Sequence, residues 1–169
     1  MAYWPPFYHD NRHIDLAHLE PLQFQVATPS KAIRRVFVTF SPHVFTRGQK
    51  PDDPTGHLCF DNRIFCEDRY GLSFYLADII KGFPSVRVFQ TWESRNYVYL
   101  AEVGAGGGAG PYHVFFSLKR RQNPGGVDLM VESAYRKDPS TYTPPKKPNS
   151  VRFGLLVEKV FANQPLRFK

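Results

Sequence analysis

The chain has 169 residues, 42% apolar and 15% aromatic, which suits one ordinary domain with a real core and excludes general disorder. Lys and Arg outnumber Asp and Glu by 22 to 15, and a formal charge of +7 attracts polyanions such as RNA, DNA, anionic lipid or an acidic partner. The two cysteines, Cys59 and Cys66, suit neither a disulfide scaffold nor a zinc pair, and no uncharged apolar stretch approaches about twenty residues, so the sequence predicts a soluble, cytoplasmic protein with reduced thiols and no membrane contact.

Residues 1–30 mix aromatics, histidines and prolines and read as an N-terminal arm, with at most a short helical stretch over 13–19; residues 31–169 read as a single α+β domain with a C-terminal helix. Ile33 to Phe40 is β-branched and aromatic and predicts a strand. Ser41-Pro42 then offers an N-cap with proline at the first helical position, so a short helix is expected to carry His43 and Arg47 side by side on one face.

Residues 52–69 look irregular. Leu72, Tyr75, Leu76, Ile79 and Ile80 recur at helical spacing before Gly82 and Pro84 stop the run. From residue 86 the period changes to two, in runs 86–91, 96–103, 112–119 and 127–135 joined by turn-like stretches at 93–96, 104–111 and 123–126. Short connections favour an antiparallel meander, so the expected body is a curved antiparallel four- to five-stranded sheet with helices packed on one face. Residues 139–148, rich in proline and lysine, cannot continue the sheet; Ser150 then caps a final helix through Phe153, Leu156, Val157, Val160 and Phe161, unless its β-branched residues form a strand.

Several groups carry chemistry. His43 can move a proton near neutral pH, Arg47 can neutralise developing charge, and Ser133 and Tyr135 emerge at the end of the last strand, where one can anchor a phosphate oxygen and the other stack on a base or donate a proton. Strict alternation puts Ser133 and Tyr135 on the face of Val127, Leu129 and Val131, which would bury them, and sends Glu132 the other way unless a bulge intervenes. Lys119, Arg120 and Arg121 close the preceding strand and are candidate RNA-binding cations, or simply a solvated turn. His9-Asp10-Asn11-Arg12-His13 superficially fits a two-histidine metal helix, but the adjacent prolines and the lack of an apolar helical face argue against zinc chemistry there. The glycine-rich stretch 104–110 lacks the Lys-Ser/Thr of a phosphate-binding loop and reads as a hairpin connection.

From Phe37 to Phe161, the segments Ser41-Pro42-His43-Val44 with Arg47, Tyr75-Leu76 with Ile79-Ile80 and Pro84, Tyr112-His113-Val114-Phe115-Phe116, and Glu132-Ser133-Ala134-Tyr135 resemble small proteins of integrative conjugative elements and plasmids of the stationary-phase growth adaptation type. The order of the elements, a helix with His and Arg, a second helix, several strands and a terminal strand with a hydroxyl and an aromatic, is similar to the barnase, EndoU, colicin and RelE-like ribonuclease superfamily. That second resemblance implies a metal-independent, toxin-like ribonuclease needing no cofactor, with His43, Arg47, Ser133 and Tyr135 at its site and RNA and a cognate antitoxin or immunity protein as partners. The alternative is a non-catalytic module of a mobile element that binds nucleic acid or protein through the same basic face.

Overall fold

The computed structural model describes residues 1–91, 96–103, 110–138, 140–141 and 149–167; residues 93–95 and 104–109 of the expected connections, and most of 139–148, lie outside the described residues. The chain begins with a hairpin, β1 (Phe7–His9) and β2 (Arg12–Ile14), then β3 (Leu22–Ala27), β4 (Ile33–Phe40), β5 (Thr46–Arg47) and β6 (Ile64–Phe65). Helices α1 (Glu67–Ser73) and α2 (Leu76–Lys81) follow, then β7 (Arg87–Gln90), β8 (Asn96–Ala101), β9 (Tyr112–Arg121), β10 (Gly126–Arg136), β11 (Ser150–Arg152) and α3 (Phe153–Phe161). The architecture is α+β around one large curled sheet.

That sheet has seven strands in the order β11-β7-β8-β9-β10-β4-β3. The meander β7 to β10 is antiparallel throughout, matching the four period-two runs. Two features differ from a four- to five-stranded antiparallel sheet. β10 pairs with β4 in parallel, which is feasible because the whole of residues 41–125 serves as the crossover. β3, within the stretch read as an arm, pairs with β4 as an edge strand, and β11 closes the opposite edge against β7. The hydrophobic pattern marks a strand but does not name its neighbour, so the sheet's width was not readable from the runs alone.

One face of the sheet is the core. Val36, Val38 and Phe40 of β4, Val127, Leu129, Val131 and Ala134 of β10, and Tyr112, Val114 and Phe116 of β9 are fully buried. Phe116 meets Phe83 at 5.2 Å and Phe153 at 6.2 Å between ring centroids, which seats α3 and the 3-10 turn Phe83–Ser85 on this face. Two close approaches depend on glycine. A Cβ at Gly126 would stand 2.6 Å from the Arg35 carbonyl oxygen where β10 starts beside β4, and one at Gly154 would stand 2.9 Å from the Ala27 carbonyl oxygen where α3 rests on β3.

Three expected helices changed form. The segment after Ser41 is a single 3-10 turn, Pro42–Val44, and not a helix reaching residue 47: Ser41 Oγ caps it by accepting from the His43 amide at 3.2 Å, but burial of Val44, Phe45 and Thr46 and pairing of Thr46 with Phe65 pull the chain into β5. The periodic segment around Leu72–Ile80 is two short helices broken at Phe74–Tyr75, closed by Gly82 as expected. Ser150 opens β11, and α3 starts only at Phe153, so the strand reading and the helix reading each hold for part of that segment. Among the described residues, no helix is long and apolar enough to cross a membrane.

Candidate functional site

The register of β9 and β10 slips between Val131 and Ser133, so Glu132 is the extra residue of a β-bulge. The slip reverses the alternation. Val131 and Ala134 both face the core, while Ser133 lies opposite Phe115 and Tyr135 opposite His113, on the other face. Strict alternation, which would have buried Ser133 and Tyr135, is therefore overturned, and Glu132 turns toward the same face, accepting a hydrogen bond from Ser117 Oγ at 2.7 Å. Ser133, Tyr135 and Glu132 are all partly exposed.

β4 ends opposite Val131, where the Ser41 amide donates to the Val131 carbonyl at 2.9 Å. Beyond this point β10 continues alone on that side and the Pro42–Val44 turn lies along it. Arg69, in α1, ties this corner together. Its Nη1 donates to the carbonyls of His43 at 3.1 Å and Thr46 at 2.8 Å, and its guanidinium carbon lies 4.6 Å from the centroid of the Tyr135 ring. No protein partner takes its Nη2 or Nε among the described residues, and burial lowers its pKa. Arg63 donates from Nε to Thr46 Oγ1 at 2.9 Å and more weakly from Nη2 to the Thr46 carbonyl.

The His43 imidazole is 39% exposed, with Nε2 3.8 Å from a carboxylate oxygen of Asp61. Burial lowers its pKa first, followed by the Arg63 charge and then Arg69, against the raising pull of Asp61 and Glu132. The result is an accessible imidazole held neutral at neutral pH beside two guanidinium groups, an arrangement that accepts a proton where negative charge is welcome. Tyr112 reaches the same corner from beneath: its phenol is buried without a hydrogen-bond partner among the described residues, and burial raises its pKa while Arg69 opposes the shift.

The structure thus brings the His43 carbonyl and the Tyr135 ring to one guanidinium, with Ser133 two residues along the same strand face. Arg47 is not part of the cluster. Its Nη1 and Nη2 donate to the two carboxylate oxygens of Asp53 at 2.6 Å each, a bidentate pair that raises the Arg47 pKa and holds Asp53 well below the usual carboxylate range. Arg63 and Arg69, rather than Arg47, are the guanidinium groups whose charge acts on the His43 imidazole. Neither Arg69 nor Arg63 carries a local motif; the Arg69 contact with the His43 carbonyl spans 26 residues, beyond what spacing can reveal. The three cations of β9 divide. Lys119 and Arg120 line an open groove of about 1000 Å³ with Ser117, Glu132 and Lys159, whereas Arg121 donates to Asp128 at 2.7 Å and lies 4.3 Å from the Phe37 ring. Glu132 belongs both to that groove and to the field around His43.

The family model described as the YjaZ family matches residues 6–161. The chain belongs to the YjaZ family. The match runs from the N-terminal hairpin to the end of α3, so every residue of the His43 corner lies within it. No curated protein and no solved structure matches the chain.

Proposed function

We propose that the chain binds single-stranded RNA and cleaves it by attack of the RNA's own 2′-hydroxyl on the adjacent phosphodiester, with no metal ion in the reaction. His43 takes the proton from the hydroxyl. Arg69 and Arg63 offer unengaged N–H groups to the charge that develops on the phosphorane oxygens, Ser133 anchors a phosphate oxygen, and Tyr135 stacks on a base or returns a proton to the leaving 5′-oxygen. The products are a 2′,3′-cyclic phosphate and a 5′-hydroxyl. Lys119 and Arg120 hold flanking phosphates along the groove that runs to Glu132.

The observation that carries this reading is the single guanidinium shared by the His43 backbone and the Tyr135 ring, beside a neutral imidazole. The resemblance to mobile-element proteins and to the toxin-like ribonucleases extends the reading to a toxin restrained by a neutralising protein. One observation favours the non-catalytic module as a second reading: Arg69 Nη1 is committed to two backbone carbonyls, so part of the cation serves the fold.

Incubating RNA with the purified chain and with His43→Ala in the presence of a chelator separates the two. The enzyme reading expects fragments with cyclic phosphate ends and a rate loss of about 10²–10⁴-fold in the variant. Intact RNA, bound with an affinity that falls steeply with salt, leaves the module.

A further inference from the structure

The N-terminal histidines form a different constellation from the one their spacing suggests. β1 and β2 pair as a tight hairpin with Tyr8 opposite His13 and His9 opposite Arg12, so His9 and His13 lie on opposite faces. Asp10 and Asn11 form the two-residue turn, with φ of 49° and 60°, the left-handed values that a type I′ turn requires. The turn presents Asp10 toward the 3-10 turn Thr55–His57, and there a second histidine is waiting.

His9 Nε2 lies 3.5 Å from one Asp10 carboxylate oxygen and His57 Nε2 lies 3.6 Å from the other. The donor atoms of all three residues fall within 4.8 Å of one another. These separations exceed the roughly 2.7–3.2 Å of a hydrogen bond. They approach the spacing of about 3.4 Å between neighbouring ligand atoms that share a tetrahedral ion with bonds of about 2.0–2.2 Å. Among the described residues neither Nε2 has a hydrogen-bond partner. The His9 ring is fixed by packing on Phe65 at 4.8 Å, and the two imidazoles meet edge to face at 5.4 Å. Both Nε2 atoms therefore lie beside the two oxygens of one carboxylate, and packing on Phe65 limits how far the His9 ring can turn.

We propose that His9, Asp10 and His57 bind a divalent transition-metal ion of the zinc class. Two imidazoles and one carboxylate match the borderline ions Zn(II), Co(II) and Ni(II) better than Mg(II) or Ca(II), which prefer an all-oxygen shell. Water completes the coordination. The ion joins the N-terminal hairpin to the segment after β5, two parts of the chain that β-pairing does not connect, so it acts as a clamp on the hairpin. This site is separate from the His43 corner and does not rest on the ribonuclease reading.

The test uses the untagged full chain, stripped with a chelator and dialysed against Co(II) or Zn(II). One equivalent of metal per chain is expected by elemental analysis, with visible absorption bands of nitrogen- and oxygen-coordinated Co(II), a higher Tm, and slower amide exchange across residues 7–14. His57→Ala and His9→Gln weaken binding by more than about 100-fold, beyond the cost of losing an outer-shell partner. His57 is 40% exposed, so its truncation leaves folding intact, which circular dichroism checks. His13→Ala binds as the wild type does. Absence of stoichiometric binding, binding unaffected by both ligand variants, or equal loss in His13→Ala overturns the proposal.

Discussion

Replacing Arg69 with Gln removes the group that ties the Pro42–Val44 turn to β10, and the cost follows from its contacts. Two hydrogen bonds from a charged donor to the His43 and Thr46 carbonyls contribute roughly 1.5–3 kcal/mol each, and a partly buried cation over Tyr135 about 0.5–2 kcal/mol more. Against this stands the burial that lowers the Arg69 pKa, which the neutral amide does not suffer. The net expectation is a destabilisation of about 3 kcal/mol, and for a chain of this size a drop of about 6–12 °C in Tm. Urea melts followed by far-ultraviolet circular dichroism and by fluorescence give the value directly, with an unchanged slope showing that the denatured state is unaltered. Arg69→Lys keeps the charge without the planar fork and recovers only part of the loss. A change below about 1 kcal/mol for Arg69→Gln would refute the idea that one guanidinium organises the corner.

Because burial and Arg63 lower the His43 pKa, the folded chain gives up that proton at lower pH than the unfolded chain; the contribution to stability is full above about 6.5 and is lost as pH falls through the folded value. The acidic limb of kcat/KM on RNA accordingly has its midpoint below about 6.5, moves up in Arg63→Gln and down in Asp61→Asn, and a limb unmoved by both contradicts the assignment of His43 as the base. Arg47→Ala frees the 48–53 loop, read as faster proteolysis there, yet leaves kcat/KM on RNA unchanged; a large kinetic loss would return Arg47 to the site. Gly126→Ala forces a methyl group against the Arg35 carbonyl and lowers Tm without shifting the pH profile, and a neutral effect would mean that β10 and β4 can separate there at no cost.

The strands of the meander were legible because Val, Tyr and Phe alternate with polar residues between clear turns, and the boundaries found lie within two residues of those expected. The bulge at Glu132 was not, since one extra residue leaves no mark on composition while exchanging the faces of everything after it. His43 and Tyr135 were visible as chemical types at the ends of elements. Arg69 was not, because its role arises from packing α1 against a turn 26 residues upstream and a strand 66 residues downstream. The helix expected to align His43 with Arg47 failed for a related reason: the cap signal at Ser41-Pro42 was correct for one turn, and burial of Phe45 and Thr46 then outweighed helical propensity. In the N-terminal hairpin the i, i+4 spacing pairs His9 with His13, whereas His57, 48 residues beyond His9, completes the cluster.

If the RNA supplies its own nucleophile at the His43 corner, a 2′-hydroxyl decides where the strand is cut. A DNA oligonucleotide carrying one ribonucleotide tests it most directly, incubated with the chelator-treated chain and analysed by mass spectrometry. A single cut is expected on the 3′ side of the ribonucleotide, ending in a 2′,3′-cyclic phosphate and absent in His43→Ala. Cleavage at deoxynucleotide positions, a 3′-hydroxyl end, or an oligonucleotide left whole would contradict it.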